Sequence, residues 1–169
     1  MKQIIHLMVF LALVATIAGG ALATANAITQ PIIQANALAA EKENLQKIFP
    51  DVDDSAFEEV EVKQSQTIEK IFKVKGEGTI FKLKVSGYKE GTTFMVAFDN
   101  SGTIINYVVL SNGDTQGIGS KVGDETFKNS LINKKGDGKL DTISGATISS
   151  RPVIEGIKEA ATYFAENIK

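Results

Sequence analysis

The stretch that decides the fold runs from Phe81 to Leu110 and reads FKLKVSGYKEGTTFMVAFDNSGTIINYVVL. Phe81, Leu83 and Val85 alternate with Lys82 and Lys84, the period-two pattern of a strand with one buried and one solvated face. Thr93 to Phe98 and Thr103 to Leu110 are apolar, β-branched runs on either side of Asp99-Asn100-Ser101-Gly102. A polar, glycine-containing turn between two such runs predicts an antiparallel hairpin. Lys82, Lys84 and Lys89 read as a solvated strand face, the default for exposed lysines, and not as a partner site.

Upstream, the alternating texture begins at Phe57. Before it, Ala35 to Phe49 (ANALAAEKENLQKIF) has helical composition, with Leu38, Leu45, Ile48 and Phe49 at helix-like offsets and Pro50 as a stop. Earlier still, no Asp, Glu, Lys or Arg occurs between Lys2 and Glu41. Ile4 to Leu22 (IIHLMVFLALVATIAGGAL) meets the need of a bilayer-spanning helix for about 20 mostly apolar residues. His6 near its end reads as an interfacial polar residue. Small-x-small patterns in ALATANA (Ala21 to Ala27) are the alternative, a signal-peptidase site. The apolar run exceeds the usual h-region of about 7–15 residues and its basic flank is Lys2 alone, which favours a retained anchor. Lys2 precedes the span and no further cation comes before Lys42, so the positive-inside rule puts the N-terminus in the cytoplasm and the following domain outside.

Downstream of the hairpin comes the glycine-rich SNGDTQGIGSKVGD (Ser111 to Asp124), then a turn at Asp137-Gly138-Lys139-Leu140-Asp141. The last element is an amphipathic helix with Val153, Ile154, Ile157, Ala160, Ala161, Phe164 and Ile168 as its apolar stripe. Ser149 or Ser150 is expected as its N-cap, with Pro152 in the first turn. The order helix, strands, hairpin, loop, helix is that of an α+β domain. The expected divisions are a membrane anchor over 1–30, a juxtamembrane helical segment over 31–56 and one ligand-binding domain over 57–169.

Composition narrows the chemistry. A 169-residue chain holds one compact domain plus a short appendage. With 43% hydrophobic residues, 22% charged and a net charge of −2, nothing favours nucleic acid as a partner. There is no cysteine, which excludes disulfides, thiolate metal sites and a cysteine nucleophile. His6 is the one histidine and lies in the apolar span, so neither a histidine-based metal site nor a Ser–His–Asp triad is available to the domain. Redox chemistry here requires an organic cofactor.

Two segments remain that could hold one. Asp141 to Pro152 (DTISGATISSRP) is a hydroxyl-rich, small-residue loop leading into a helix N-terminus, a place suited to an anion and above all to phosphate. Plain capping by Ser149 and Ser150 accounts for the same residues. Asp114-Thr115-Gln116-Gly117-Ile118-Gly119 is, by itself, a glycine turn. Gly117 to Lys121 lacks the Gly-Lys-Ser/Thr ending of a P-loop. Asn133 to Ser144 fails as a calcium loop, with Lys135 at its third position and Ser144 where a bidentate Glu belongs.

The first segment, however, closely resembles the flavinylation motif of the FMN-binding domain family, which includes the G subunit of the Rnf electron-transport complex and the C subunit of the sodium-pumping NADH:quinone reductase. The family pattern is an Asp, two variable residues, Ser or Thr, Gly, Ala, then Thr or Ser. Asp141, Ser144, Gly145, Ala146 and Thr147 match it. The resemblance implies FMN covalently joined by a phosphoester to Thr147, installed outside the cytoplasm by a flavin transferase that uses Asp141 with its metal ion. The second segment resembles the family's Glu-Thr-Pro-Gly-Leu-Gly loop, with Asp114 and Ile118 as close replacements and Gln116 in place of Pro. That departure leaves the loop less rigid.

On this resemblance Ser144, Gly145, Ala146, Ser150, Asp114, Thr115, Gly117, Ile118, Gly119 and Lys121 are the residues around the flavin. No resident metal and no catalytic residue is implied. The family order of anchor, helix, strand, hairpin and both loops covers most of the chain, and its short length is most like the Rnf G subunit. The implied protein is an electron carrier within a membrane ferredoxin:NAD⁺ oxidoreductase complex coupled to ion transport, and not an enzyme alone. Its partners would be the other membrane subunits, the flavin transferase and membrane lipid. It would cross the cell membrane once, with its domain on the extracytoplasmic side. Two rivals share the sequence: a stand-alone anchored flavoprotein for extracellular electron transfer, and a non-redox exported binding module.

Overall fold

The computed structural model describes residues 2–50, 52–63 and 65–168; Met1 and Lys169 at the chain ends, and the side chain of Leu38, lie outside the described residues. The chain divides into two compact units, one ending at Leu45 and one beginning at Gln46.

Helix α1 spans Lys2–Ile48. Its first part, Lys2–Ile33, is long and apolar enough to cross a membrane. At about 1.5 Å per residue, its 32 residues exceed the ~30 Å of a hydrocarbon core. Leu7, Leu11, Ile17 and Leu22 stand exposed around this segment, as expected of a helix whose apolar surround is not protein. The expected anchor and the expected juxtamembrane segment lie in one uninterrupted helix, with Pro31 inside it. Proline removes a single N–H donor and crowds one carbonyl, and helix-forming Ala, Ile and Gln on both sides carry the helix through.

The second unit is built on a five-stranded antiparallel meander, β1 Phe57–Val60, β2 Ile68–Val74, β3 Gly78–Val85, β4 Thr92–Phe98 and β5 Ile104–Asn112, in the spatial order β1-β2-β3-β4-β5. The expected hairpin is β4–β5, with Val96 opposite Tyr107 and Phe94 opposite Val109. Its turn is closed by Asp99, whose Oδ1 accepts from the Ser101 and Thr103 amides at 2.8 Å each. In β3 the expected alternation holds: Phe81, Leu83 and Val85 are buried while Lys82 is half-buried and Lys84 exposed. Between β5 and the C-terminus come the short helix α2 (Glu125–Leu131) and the long helix α3 (Thr147–Tyr163), followed by a π-helical turn over Phe164–Ile168. This is the α+β architecture expected.

Helix α3 lays Val153, Ile154, Ile157, Ala160 and Ala161 onto the sheet residues Phe81, Leu83, Phe94, Val96 and Phe98, and together they form the core. Gly156 lets the helix sit close, since a Cβ there would lie 3.0 Å from Val85. Phe127 and Leu131 of α2 join the same cluster, with Phe127 edge-on to Tyr107 at 5.9 Å between centroids. On the opposite sheet face Phe72, Ile80, Met95 and Ala97 are also buried. There, within the second unit, Asn106 Nδ2 donates to the Ile48 carbonyl at 3.4 Å, and Ile48 and Phe49 are buried. Packing on both faces buries β4 almost throughout. The antiparallel order of β3, β4 and β5 brings the segments after β3 and after β5 to one end of the sheet.

Candidate functional site

At that end, three pieces of chain meet: the β3–β4 connection, the loop after β5, and the first turn of α3. Gly145, at φ +79°, takes the left-handed conformation that glycine adopts without steric cost. Ala146 follows as the N-cap of α3, with no side-chain cap. Its carbonyl accepts from the Ser149 and Ser150 amides at 3.1 and 2.9 Å. The expected serine caps are therefore corrected: both serines, and Pro152, lie inside the helix. The physical reason is a different use of the hydroxyl. Ser150 Oγ accepts from the Ile143 amide at 3.0 Å and donates to the Ala146 carbonyl at 3.0 Å, stapling the loop to the helix from within the core. The amides of Thr147 and Ile148 have no hydrogen-bond partner among the described residues, as is usual in a helix's first turn.

The loop after β5 is folded by its own hydrogen bonds. The Thr115 carbonyl accepts from Ile118 and Gly119 at 3.1 and 2.8 Å, and Gly117 donates to Ser120 Oγ at 2.9 Å. Gly117 is left-handed at φ +76°, and Gly119 opens a 3₁₀ turn over Gly119–Gly123. Asp114 is buried (8% exposed). Its Oδ1 accepts from the Lys89 amide at 2.9 Å. Burial pushes its carboxyl up, but the Ser149 hydroxyl and the amides of Lys89, Tyr88 and Gly91 outweigh burial and hold it below the ordinary carboxylate range.

Between these segments lies a cleft of about 320 Å³ lined by Tyr88, Thr115, Ile118, Gly119 and the run from Gly145 to Ser149. That is at the lower end of the roughly 300–1,000 Å³ of small-molecule sites. Three of its walls are unusual. Tyr88 (64%), Ile118 (52%) and Ile148 (64%) are the large hydrophobic side chains exposed outside α1 among the described residues, and all three line this cleft. Scattered apolar exposure is ordinary, but convergence on one concavity marks a candidate binding groove. Thr147 is half-buried in the wall.

A second cavity of about 380 Å³ lies along the preceding part of the same loop, lined by Lys121, Asp124, Thr126, Phe127, Ser130 and Asp141 to Ile143. Asp141 is exposed and pairs loosely with Lys134 at 3.9 Å.

Of the residues expected around a ligand, Thr147, Gly145, Ala146, Thr115, Ile118 and Gly119 thus line one cleft. Ser144 and Gly117 are exposed beside it in the two loops. Asp114 and Ser150 are buried behind the walls. Lys121 and Asp141 belong to the second cavity. Sequence reasoning missed Tyr88, Ile148 and Ser149. The signal for Tyr88 was a glycine-tyrosine pair directly after an alternating strand.

Could this cleft hold FMN? Its apolar rim suits a flat ring system, and the first turn of a 17-residue helix with two free amides suits a phosphate. A Cβ built at Gly145 would meet nothing within 4 Å, so the approach to Thr147 is open. The residues present fit the group.

Comparison with known proteins agrees. Residues 87–162 match the FMN-binding domain model. The chain is 27% identical over 165 residues to the G subunit of the ion-translocating oxidoreductase complex of Haemophilus influenzae, covering 83% of this chain and 80% of that one. It is 23% identical over 178 residues to the corresponding G subunit from Methanosarcina acetivorans, covering 96% and 95%. It is 28% identical over 85 residues to the G subunit of the proton-translocating ferredoxin:NAD(+) oxidoreductase complex of Clostridium ljungdahlii. That match spans 44% of this chain and about half (46%) of the relative.

Proposed function

We propose, on the match of residues 87–162 to the FMN-binding domain model, that this chain is a membrane-anchored electron carrier with FMN esterified to Thr147, and that it works as the G-type subunit of an ion-translocating oxidoreductase complex. The observation that carries this is the position of Thr147: a half-buried hydroxyl in the first turn of α3, on the wall of a cleft into which the exposed hydrophobics of the domain converge.

In this account Thr147 Oγ would form the O–P bond to the FMN phosphate as the diphosphate bond of a flavin dinucleotide donor breaks, with the nucleoside monophosphate leaving and the hydroxyl proton passing to the transferase. The open amides of Thr147 and Ile148 and the positive end of α3 favour the phosphate. Tyr88, Ile118 and Ile148 would cover apolar faces of the ring and keep water from them. Bound FMN supplies reversible electron acceptance, which no side chain of this domain offers. A covalent tether suits a domain outside the cytoplasm, where a dissociated cofactor would be lost. Lys2–Ile33 provides the anchor, and the other subunits of the complex provide donor and acceptor. The names of the relatives support that assembly.

The test is expression of the full chain in membranes with an active flavin transferase, followed by denaturing electrophoresis. Flavin fluorescence should travel with the wild-type band and be absent from Thr147→Ala. A fluorescent Thr147→Ala band would move the attachment elsewhere. Co-purification of further membrane subunits tests the assembly, and a flavinylated chain that always purifies alone would favour the stand-alone carrier.

A further inference from the structure

The three walls of the Thr147 cleft come from distant parts of the chain, and one buried group touches them all. Asp114 Oδ1 accepts from the Lys89 amide at 2.9 Å, directly behind Tyr88. Its own amide donates to Asn112 Oδ1 at 3.1 Å, and Asn112 Nδ2 in turn donates to Thr92 Oγ1 at 2.7 Å. The Ser149 hydroxyl, in the first turn of α3, faces the carboxylate and helps keep it ionised. Oδ2 is shut off from solvent without a hydrogen bond of good geometry, so this oxygen is held by packing against its neighbours.

Two glycines make that packing possible. A Cβ on Gly87 would sit on Oδ2 and lie 2.6 Å from Oδ1. A Cβ on Gly119 would lie 2.5 Å from the Asp114 Cβ and 2.6 Å from Ser149 Oγ. Gly87 has no left-handed backbone, so its lack of a side chain serves this close approach alone. Asp114 does not line the cleft.

We propose that Asp114 is a positioning residue: its buried carboxylate, clasped between Gly87 and Gly119, locks the Tyr88 connection, the Thr115–Gly119 loop and the start of α3 into one cleft, without itself being a flavin contact. Loops joined to a sheet at their ends open independently unless something ties them together. Charge-assisted hydrogen bonds are about twice as strong as neutral ones, which makes one carboxylate an effective tie. The clasp sets the shape of the cleft, and it rests on the FMN assignment only for its second readout.

The experiment compares full-length wild type, Asp114→Asn, Asp114→Ala and Gly87→Ala, each produced in membranes with an active flavin transferase. Amide hydrogen exchange by mass spectrometry reads peptides covering 87–91, 115–119 and 145–150 against peptides from β3 and β4. Intact mass and visible circular dichroism read the flavin. The expected result is exchange raised at least about tenfold in all three cleft peptides of Asp114→Ala and Gly87→Ala, with the strand peptides unchanged and a smaller rise in Asp114→Asn. The visible dichroism of the bound flavin falls in the same order. Cleft peptides that exchange as in wild type, or that rise only together with the strands, overturn the proposal. If Asp114→Ala does not accumulate, the same comparison in Asp114→Asn and Gly87→Ala decides. A wild-type chain without FMN defeats the assigned function instead, and leaves the exchange result to judge the clasp alone.

Discussion

Two cavities share the loop that leads into α3, and they differ in kind. The first, around Thr147, is rimmed by Tyr88, Ile118 and Ile148, with its one buried carboxylate, Asp114, turned away behind the wall. The second, around Asp141, carries its charges at the surface: Lys121, Asp124 and Asp141 are all exposed. Exposed apolar groups in a concavity favour a partner that stays, because each visit to water carries the hydrophobic cost again. Exposed charges suit a partner that arrives and leaves, since such contacts are weak and screened by salt. On the proposed function the pair would divide along the loop, the Thr147 side keeping the flavin and the Asp141 side receiving the transferase.

The largest expected effect lies at the first cavity. Thr147→Ala should abolish covalent FMN, while changing unfolding free energy by no more than about 0.5 kcal/mol, as is usual for partly exposed positions; urea titration of both forms checks the second half. Next comes Gly119→Ala, whose Cβ would press on Asp114 and Ser149. Overpacking of this kind costs about 1–3 kcal/mol, and the flavin content should fall with it.

Asp114→Asn tests the buried carboxylate against the exposed one. The folded pKa of Asp114 lies below its unfolded value of 3.8, so the unfolded chain binds more protons near that pH. Its stabilising contribution is present above about pH 4 and is lost as pH falls through the folded pKa. Wild type should therefore lose more stability between pH 6 and pH 3 than Asp114→Asn does, by urea unfolding at both values. Asp99, lowered against burial by the Thr103 and Ser101 groups of its turn, adds to the slope in both proteins and cancels in the difference.

Tyr88→Ala and Ile148→Ala should leave stability within about 0.5 kcal/mol, because both side chains are exposed, yet change the visible dichroism of the bound flavin. The smallest effect belongs to the second cavity. Lys121→Ala should change FMN content less than twofold, by intact mass. A large loss there would break the division between the cavities.

Much of this was legible before the structure. The β4–β5 hairpin, the alternation in β3 and the stripe of α3 follow from period-two and 3.6-residue patterns over long, unambiguous runs. Short elements were not: β1 with four residues and α2 with seven are too brief for periodicity to separate from loop. The start of α3 misled because Ser149 and Ser150 are good caps, yet after the left-handed Gly145 the helix is capped at Ala146, three or four residues earlier, which leaves the Ser150 hydroxyl to hold the loop. Tyr88 and Gly87 come from a connection far along the chain, and the register of β4 against β5, with Thr92 opposite Asn112, brings them to Asp114. Cleft-lining residues carried by one segment can be read in sequence; those supplied by a tertiary crossing cannot.

The most direct test of the central claim is the mass of one peptide. Trypsin cuts after Lys139 and Lys158 and spares Arg151, which Pro152 follows, so Thr147 falls in the peptide from Leu140 to Lys158. From wild-type protein made in membranes with an active flavin transferase, that peptide should be heavier by one FMN less a water, with fragmentation placing the gain on Thr147. An unmodified peptide under those conditions would contradict the account.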